Sequence, residues 1–317
     1  MKVLVTGGCG YIGSVLVPKL LAAGHLVRVV DTQWFGVNLA PDSRLHVIQG
    51  DIRDKVPCEG IEAVIHLAAI ANDPCGELEA RLTWDVNVIA TLKLAEECAR
   101  QGVKRFIYAS SASVYGIQDN VAVTEDSLLE PVSDYNRTKM VAERVLRSFD
   151  RHFSLCIVRP ATVCGVSPRM RLDTLVNMLT AQALETRKIT AHCGAHGEAL
   201  MRPHTHIEDM TDLYVLLLKR QWCGTYNAGF ENQRIADTAH AIKSVIACEV
   251  EISETSDKRS YAVDSARVRG RGFLPQHTVA EAILDIAVAW RSGALKREER
   301  CVNLTWMQKN GYCSSTR

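Results

Sequence analysis

Tyr135 and Lys139 lie four positions apart in a stretch whose apolar spacing is that of a helix. Residues with this spacing project from one helical face, one turn from each other. A phenol loses its proton near pH 10, and a neighbouring ammonium group would stabilise the phenolate and lower its pKa. The pair therefore indicates a tyrosine general base, although by itself it is also typical of an exposed helical surface without function.

A third group with suitable chemistry is the hydroxyl of Ser111, which follows a predicted strand over residues 105–109. This hydroxyl could hydrogen-bond the same reacting oxygen as Tyr135. Together with Lys139, the two residues could remove the hydroxyl proton of an alcohol while its carbon gives a hydride to a nicotinamide. Such chemistry requires a dinucleotide site close to these side chains.

The start of the chain has the pattern of a dinucleotide-binding turn. A short apolar run ends at Thr6, and Gly8, Gly10 and Gly13 then fit G-x-G-x-x-G; Gly7, Gly10 and Gly13 also fit G-x-x-G-x-x-G. An apolar helical pattern opens directly afterwards. Unpaired N–H groups and the dipole at a helix N-terminus favour a pyrophosphate, and glycine lets the backbone approach it.

A second predicted strand, residues 26–30, is followed by Asp31, about 20 residues after the glycines. An acid at this point can hold the ribose hydroxyls of a dinucleotide. Asp31 would also repel a 2′-phosphate, and Thr32 and Gln33 supply no neutralising cation. We therefore expect NAD to be preferred over NADP.

The elements that must position these groups alternate along the first half. Further strands are predicted over residues 45–49, 63–67 and 155–158, and helices over residues 79–101 and 134–149. Repeated strand–helix–strand units predict an α/β fold, a Rossmann-type doubly wound parallel sheet with helices on both faces. Ligands bind such sheets beyond the carboxyl ends of the strands, where the polar signals fall.

The pattern changes after Pro160, with more loops and with predicted helices over residues 172–185, 207–219, 236–246 and 279–291. We expect one continuous molecule in which a smaller C-terminal α/β part binds the substrate. The predicted division is residues 1–160 for the dinucleotide domain with the catalytic residues, 161–300 for the substrate-binding part and 301–317 for a polar tail. Residues 298–317 are expected to be poorly ordered.

Composition excludes several classes of protein. The 317 residues are 47% hydrophobic and 23% charged, with a net charge of +1 and no long basic run, which argues against nucleic acid or an anionic membrane as partner. We expect no membrane span and, because the first strand begins near Met1, no signal peptide. The eleven cysteines are scattered, which favours free thiols in a reducing cytoplasm.

The histidines cluster only between residues 192 and 206, at His192, His196, His204 and His206. A metal site is one interpretation of this cluster. A polar loop without metal is the interpretation we favour, and no metal is predicted for the protein.

Several motifs, taken together, are similar to those of a known protein family. They are residues 7–13, Asp31, Asp51-Ile52-Arg53, His66-Leu67-Ala68-Ala69, Asn87, residues 110–116 and residues 135–139. Over residues 1–286 the chain resembles the extended short-chain dehydrogenases/reductases, and more closely the NAD-dependent epimerase/dehydratase family that acts on nucleotide sugars, which includes UDP-galactose 4-epimerase. The resemblance implies that NAD is the cofactor and that Ser111, Tyr135 and Lys139 are catalytic.

The resemblance also implies a set of cofactor-binding residues. They are Gly7, Gly10, Tyr11, Ile12, Gly13, Asp31, Asp51, Ile52, Leu67, Ala68, Ala69, Asn87, Ser110, Tyr135, Lys139 and Pro160. Relatives of this kind are commonly dimers through helices corresponding to residues 79–101 and 134–149, so a homodimer is expected.

Patches of the second half resemble the same family. Residues 159–165 match its motif after the sixth strand, except that Thr162 stands where many epimerases carry Asn. Residues 167–173 and 257–261 are similar to a bacterial surface-sugar subgroup that includes GDP-heptose 4-dehydrogenases. Arginine suits a diphosphate because its planar fork pairs with phosphate oxygens. The substrate-binding residues implied are Asn72, Ser111, Thr162, Arg169, Arg171, Arg202 and Arg259.

The residues after Ser111 bear on the reaction. Dehydratases of the family carry an Asp-Glu pair there, and this chain has Ala112 and Ser113, which disfavours loss of water. Epimerisation, oxidation or reduction at carbon 4, and reduction of a keto-sugar remain. A non-catalytic NAD-binding protein and an enzyme acting on a non-nucleotide substrate are the alternatives from other classes.

Overall fold

The computed structural model describes residues 1–118, 122–255 and 260–312. The strands within these ranges are β1 (Lys2–Thr6), β2 (Leu26–Asp31), β3 (Leu45–Gln49), β4 (Ala63–His66), β5 (Arg105–Ala109), β6 (Ala122–Val123), β7 (Ser154–Pro160), β8 (Thr162–Cys164), β9 (Lys188–Cys193), β10 (Met201–His206), β11 (Gly224–Ala228), β12 (Glu231–Arg234), β13 (Glu249–Glu254) and β14 (Ala262–Val263).

The α-helices of the same ranges alternate with these strands. They are α1 (Gly13–Ala22), α2 (Asp73–Leu78), α3 (Ala80–Trp84), α4 (Ala90–Arg100), α5 (Asp134–Arg147), α6 (Leu175–Thr186), α7 (Ile207–Arg220), α8 (Ile235–Val245), α9 (Ala266–Gly270), α10 (Val279–Arg291) and α11 (Asn303–Lys309). The helix predicted over residues 79–101 consists of α3, a π-helical turn over Asp85–Ile89 and α4.

Seven strands form one sheet in the order β11-β7-β5-β4-β1-β2-β3, and every neighbouring pair is parallel. The central strands β4 and β5 are buried along their whole length, as expected for a sheet covered on both faces. The order reverses between β1 and β4, and a crevice forms at such a reversal beyond the carboxyl ends of the strands. The predicted α/β, Rossmann-type doubly wound fold is confirmed.

One strand of this sheet, β11, was not predicted from the sequence. β11 pairs with β7, with Tyr226 opposite Val158 and Ala228 opposite Pro160. Its sequence, Gly-Thr-Tyr-Asn-Ala, has no run of apolar residues. It is an edge strand that is recognisable only from its partner.

The chain after residue 160 forms smaller layers against the main sheet. A three-stranded sheet has the order β12-β10-β8, β13 pairs with β9, and β14 pairs with β6. The largest apolar cluster combines Val3 and Leu16 from the first half with Tyr214, Phe273 and Leu295 from the second. Both halves share this core. The predicted division at residue 160, between a cofactor-binding and a substrate-binding part, therefore remains a prediction about function.

The expected disorder of the chain end is wrong for residues 298–312. A 3-10 turn over Glu299–Cys301 leads into α11, where Met307 is buried. Trp306 Nε1 donates to Trp34 O at 2.7 Å, and Tyr312 stacks on Trp34 with ring centroids 4.8 Å apart. Although the segment is mostly polar, the contacts of Trp306, Met307 and Tyr312 pack it against the rest of the protein. Among the described residues, no helix has the length and apolar character needed to cross a bilayer.

Candidate active site

The turn after β1 is shaped by close backbone contacts. Gly7 has φ 74°, and a Cβ there would lie 2.7 Å from Ala68 N in the loop after β4. A Cβ on Gly13 would lie 2.5 Å from Gly7 O. A side chain at either position would clash with this backbone, so the observed turn requires glycine at both.

A cavity of about 210 Å³ lies at the carboxyl ends of β1, β2 and β4. Most of the predicted cofactor-binding residues line it: Gly7, Gly10, Tyr11, Ile12, Gly13, Asp31, Asp51, Ile52, Leu67, Ala68 and Ala69. The lining also includes residues that were not predicted to bind the cofactor, among them Cys9, Trp34, Phe35 and Asn303. Trp34 and Phe35 could have been predicted as lining residues, because they follow closely after Asp31 at the end of β2.

Asp31 is held in place by the backbone around it. Its carboxylate accepts hydrogen bonds from Cys9 N at 3.0 Å and Gln33 N at 2.7 Å. Burial raises the pKa of this carboxyl group, and the two backbone donors and the charge of Arg169 oppose the rise. A cation, Arg169, therefore lies near Asp31, although Thr32 and Gln33, which follow Asp31 in the sequence, supply none.

Five of the predicted cofactor-binding residues do not line the cavity, namely Asn87, Ser110, Tyr135, Lys139 and Pro160. Asn87 brackets Ile70, accepting from its N–H at 2.9 Å and donating to its carbonyl at 3.1 Å, and also donates to Thr138 Oγ1. Ser110 donates to Glu143 Oε1 at 2.5 Å, and Pro160 is buried at the end of β7. In this structure Asn87 and Ser110 hold the walls of the site.

The proposed catalytic groups lie where β5 ends and α5 begins. Lys139 is buried and donates from Nζ to Ala109 O, the last residue of β5, at 2.8 Å. The next turn of chain carries Ser111, whose hydroxyl hydrogen-bonds Ser113 Oγ at 2.7 Å. Ser133 caps α5 by accepting from Asn136 N, and this cap sets the helix that carries Tyr135 and Lys139.

The protonation of this site differs from the expectation based on sequence. Burial raises the pKa of Tyr135 to about 12, against an opposing hydrogen bond with Ser111. Burial also lowers the pKa of Lys139 to about 7, against the opposing charge of Glu143. The expected fall in the phenol pKa is therefore wrong, because desolvation outweighs the favourable contacts of both groups.

A buried ion pair, Arg159 and Glu143, packs against the site. Arg159 Nη2 and Glu143 Oε2 are 2.7 Å apart, and their side chains are only 4% and 2% exposed. Tyr115 accepts from Arg159 Nη1 at 2.8 Å and donates to Asn227 Oδ1 at 2.7 Å. The network joins α5, β7 and β11 directly behind Ser110 and Lys139.

The residues implied to bind substrate are distributed over two places. Arg169 and Arg171 line the cavity of the glycine turn. Asn72, with φ 76°, caps α2 by accepting from Cys75 N, and its amide donates to Asp173. Thr162 begins β8 beside His204, and Arg202 lies on β10 opposite Gln233. Arg259 and its neighbours 256–258 lie outside the described residues.

Of the four histidines between residues 192 and 206, only His196 lies in an exposed turn, and the polar loop that we favoured is wrong for the other three. His192 lies on β9, and His204 and His206 lie on β10. His204 is fully buried, and burial lowers its pKa to about 4. No group of three metal-ligating side chains occurs in the ranges that the structure describes.

The doubly wound fold, with the glycine turn and Asp31 at the carboxyl ends of its strands, is that of an NAD-dependent enzyme. Residues 3–229 match the model of the NAD dependent epimerase/dehydratase family, and the chain belongs to this family.

Individual relatives cover nearly the whole chain. UDP-glucose 4-epimerase of Lactobacillus helveticus is 28% identical over 92% of this chain and 96% of its own length. UDP-glucose 4-epimerase of Thermus thermophilus, solved with NAD, is 25% identical with a TM-score of 0.79 over 93% of this chain and 100% of that one. DesIV, a dTDP-glucose 4,6-dehydratase from Streptomyces venezuelae solved with NAD, is 27% identical with a TM-score of 0.82 over 92% and 97%.

Proposed function

We propose that this protein uses NAD to oxidise and reduce carbon 4 of a nucleotide-diphosphate sugar, as a 4-epimerase or a 4-dehydrogenase. The observation that carries the proposal is the position of Ser111, Tyr135 and Lys139 at the end of β5 and the start of α5. Ala109, which accepts from Lys139, lines the glycine-turn cavity. Relatives named for 4-epimerisation of UDP-glucose, and solved relatives holding NAD, support it.

The cavity residues fit NAD. Gly10, Tyr11 and Ile12 present backbone at the start of α1 for the pyrophosphate, Asp31 is placed for the adenosine ribose, and Ala68 borders the turn. When bound, NAD would supply a hydride acceptor at the sugar carbon and, in an epimerase, a hydride donor to the opposite face.

The chain's own groups have separate roles in this proposal. Tyr135 removes the proton from the hydroxyl at carbon 4, and Ser111 orients that hydroxyl. Lys139, buried beside Ala109, provides positive charge that favours the phenolate once the site is assembled. Burial raises the pKa of the Tyr135 phenol and so opposes this effect of Lys139.

The residues around Ser111 favour redox chemistry without loss of water. Ala112 is buried, and Ser113 uses its backbone N–H and hydroxyl to bond Ser111. Asp73 is a carboxylate whose charge reaches Tyr135, but it accepts a hydrogen bond from Ser133 at the start of α5. The chain is similar to both an epimerase and a dehydratase, so these local contacts decide our preference.

For the substrate diphosphate we propose Arg202 and Arg259, as the resemblance implies. Arg202 donates to Met201 O at 3.1 Å and lies on the small sheet formed by the second half. Replacing either arginine by Ala should raise the Michaelis constant for a nucleotide sugar and leave NAD affinity nearly unchanged.

The proposal is tested by incubating the protein with NAD and a panel of UDP-, GDP- and dTDP-sugars, followed by mass spectrometry and chromatography. A 4-epimerase gives a product of unchanged mass, a 4-dehydrogenase gives a 4-keto product with NADH, and a dehydratase gives a product lighter by one water. A product that has lost water, or no reaction with any nucleotide sugar, would contradict the proposal.

Tyr135→Phe removes one oxygen and should leave the fold intact. Its rate should fall by roughly 100- to 10,000-fold, the effect of losing a general base. Tyr226→Phe is the matched control, because the Tyr226 hydroxyl donates to Cys223 O on β11's side of the sheet. Near-normal turnover by Tyr135→Phe would remove the tyrosine from the mechanism.

Two further properties remain predictions. A reducing, cytoplasmic setting is supported by the ten cysteines within the described residues, which are all free. A homodimer is proposed from the resemblance alone, and sedimentation of the purified protein tests it.

A further inference from the structure

The loop Gly165–Asp173, here called the arginine loop, is fastened to the glycine turn. Tyr11 Oη donates to Gly165 O at 2.7 Å, and Ser167 Oγ donates to Tyr11 O at 2.8 Å. Ser167 also hydrogen-bonds the hydroxyl of Ser14, on the first turn of α1, at 2.9 Å. Contacts between residues more than 150 positions apart thus place this loop at the dinucleotide turn.

Arg171 occupies a defined position within this loop. Its carbonyl accepts from Asn177 Nδ2 at 2.9 Å, and the same amide donates to Tyr11 Oη at 3.0 Å. Its Nε donates to Asp173 Oδ1 at 2.8 Å. Asp173 is itself held by Asn303 N at 3.0 Å, so both the backbone and the side chain of Arg171 are braced.

One end of the Arg171 guanidinium is unsatisfied. Its Nη2 is buried and has no hydrogen-bond partner among the described residues. A buried donor without a partner costs free energy, and a guanidinium donor more so. Arg171 lines the glycine-turn cavity, where an anion would supply the missing acceptor.

Arg169 adds a second positive charge to the same wall. Its guanidinium lies 3.9 Å from the centre of the Phe35 ring and donates to Asn303 Oδ1 at 2.5 Å. Burial, and then the charge of Arg171, lower the pKa of Arg169 to about 10. Arg169 and Arg171 bring two positive charges to this wall of the cavity, where the nearby carboxylates are Asp173 and, beside Arg169, Asp31.

We propose that Arg171 binds the pyrophosphate of the dinucleotide, from the part of the cavity wall that the arginine loop forms. Arg169, engaged by Phe35 and Asn303, is a positioning residue that holds the loop and adds charge. This inference rests on the proposed NAD-dependent function, and it moves Arg171 from the substrate to the cofactor. The diphosphate of a nucleotide sugar has the same chemistry, but Arg171 shares its cavity with Gly10, Tyr11 and Asp31.

The test compares two fragments of NAD. ADP-ribose contains the pyrophosphate, adenosine lacks it, and calorimetry or ligand-observed NMR measures both on the full chain. Arg171→Gln should weaken ADP-ribose binding roughly 10- to 100-fold, the range for losing a hydrogen bond to a charged group. Its affinity for adenosine should be unchanged. Arg171→Lys should fall in between, because a single ammonium lacks the planar fork.

Arg151→Gln, at an exposed arginine, is the matched control and should bind both ligands normally. If Arg171→Gln does not fold, Arg171→Gln combined with Asp173→Asn keeps a neutral pair and replaces it in the same comparison. Unchanged ADP-ribose affinity with weakened nucleotide-sugar binding would overturn the inference and return Arg171 to the substrate. Failure of the unaltered protein to bind ADP-ribose would overturn the proposed function as well.

Discussion

At the scale of single residues, the site is governed by desolvation. Lys139 was expected to lower the pKa of the Tyr135 phenol, yet burial favours the neutral form of both side chains. The Lys139 ammonium donates to Ala109 O, and the Tyr135 phenol interacts with Ser111. Proximity in a helix therefore does not by itself set the protonation of a buried pair.

The lowered pKa of Lys139 predicts a pH-dependent stability. Between about pH 7 and 10.5 the unfolded chain carries a proton on Lys139 that the folded protein lacks. The folded state should therefore gain stability from this residue as pH rises through that window. Lys139→Met removes the contribution, so it should be most stabilising at or below pH 7, with the advantage shrinking towards pH 10.5.

Urea unfolding at a series of pH values measures this difference in the free energy of unfolding. Lys104→Met, at an exposed lysine, is the control and should show no such trend. A difference between Lys139→Met and the unaltered protein that stays constant across the window would show that Lys139 keeps an ordinary pKa.

At the scale of elements, the short helix α2 sets the position of the base. Gly76 is buried on α2, and its missing side chain leaves room for Tyr135 on α5. The carbonyl of Gly76 also accepts from Thr83 Oγ1 at 2.8 Å, which ties α2 to α3. The glycine therefore has a packing role that its sequence context did not indicate.

Gly76→Ala should lower turnover. A Cβ at this position would lie 2.8 Å from Tyr135 Cβ, so Tyr135 must shift, at a cost of about 1–3 kcal/mol for overpacking. We expect a reduced kcat with nearly unchanged NAD affinity, measured by steady-state kinetics and by NAD titration. Gly270→Ala is the control, since a Cβ there meets no atom within 4 Å. Full activity of Gly76→Ala would mean that Tyr135 tolerates the displacement.

The segment around α11 is the second element that acts on the site. Asn303 lines the cavity, and Arg300 Nη1 donates to Phe35 O at 2.9 Å. Trp306 and Tyr312 hold Trp34, another lining residue. These contacts link the end of the chain to the predicted adenosine side of the cavity.

Trp306→Ala should therefore weaken NAD binding by roughly ten-fold, equivalent to about 1.4 kcal/mol. The loss of the bond to Trp34 O should appear mainly as faster dissociation, followed by NADH fluorescence in stopped flow. Gln308→Ala, an exposed position on the same helix, should leave the rate unchanged. An unchanged dissociation rate for Trp306→Ala would make α11 a purely structural element.

At the scale of the whole molecule, the two halves are interlocked. β11, from the second half, completes the main sheet, and α7 packs against α1. Lys19 on α1 pairs with Asp212 on α7 at 2.5 Å, and Arg105 Nη2 donates to Leu217 O at 2.7 Å. We therefore expect the predicted cofactor-binding part, residues 1–160, and the predicted substrate-binding part, residues 161–300, to fold as one cooperative unit.

Thermal unfolding should accordingly show a single transition, because neither half can bury its share of the common core alone. Differential scanning calorimetry measures this, with the calorimetric and van't Hoff enthalpies expected to agree. Two separate transitions, one of them shifted by NAD and the other not, would contradict the interlocked core and favour independent domains.

Short stretches of sequence were sufficient to predict the local features of this protein. The strand–glycine–helix pattern, Asp31 after the second strand and the four-residue spacing of Tyr135 and Lys139 predicted the sheet, the position of the dinucleotide turn and the residues proposed for catalysis. Each of these is encoded in a few neighbouring residues, through periodicity and backbone freedom.

Contacts between residues far apart in the chain could not be predicted and are seen only in the folded structure. Strand β11, the arginine loop at the glycine turn, α11 beside Trp34 and Gly76 against Tyr135 are contacts across tens to hundreds of positions. The raised pKa of Tyr135 belongs to the same class, because burial comes from the packing of the whole chain. No local periodicity encodes such contacts, since they depend on the shape that every element forms together.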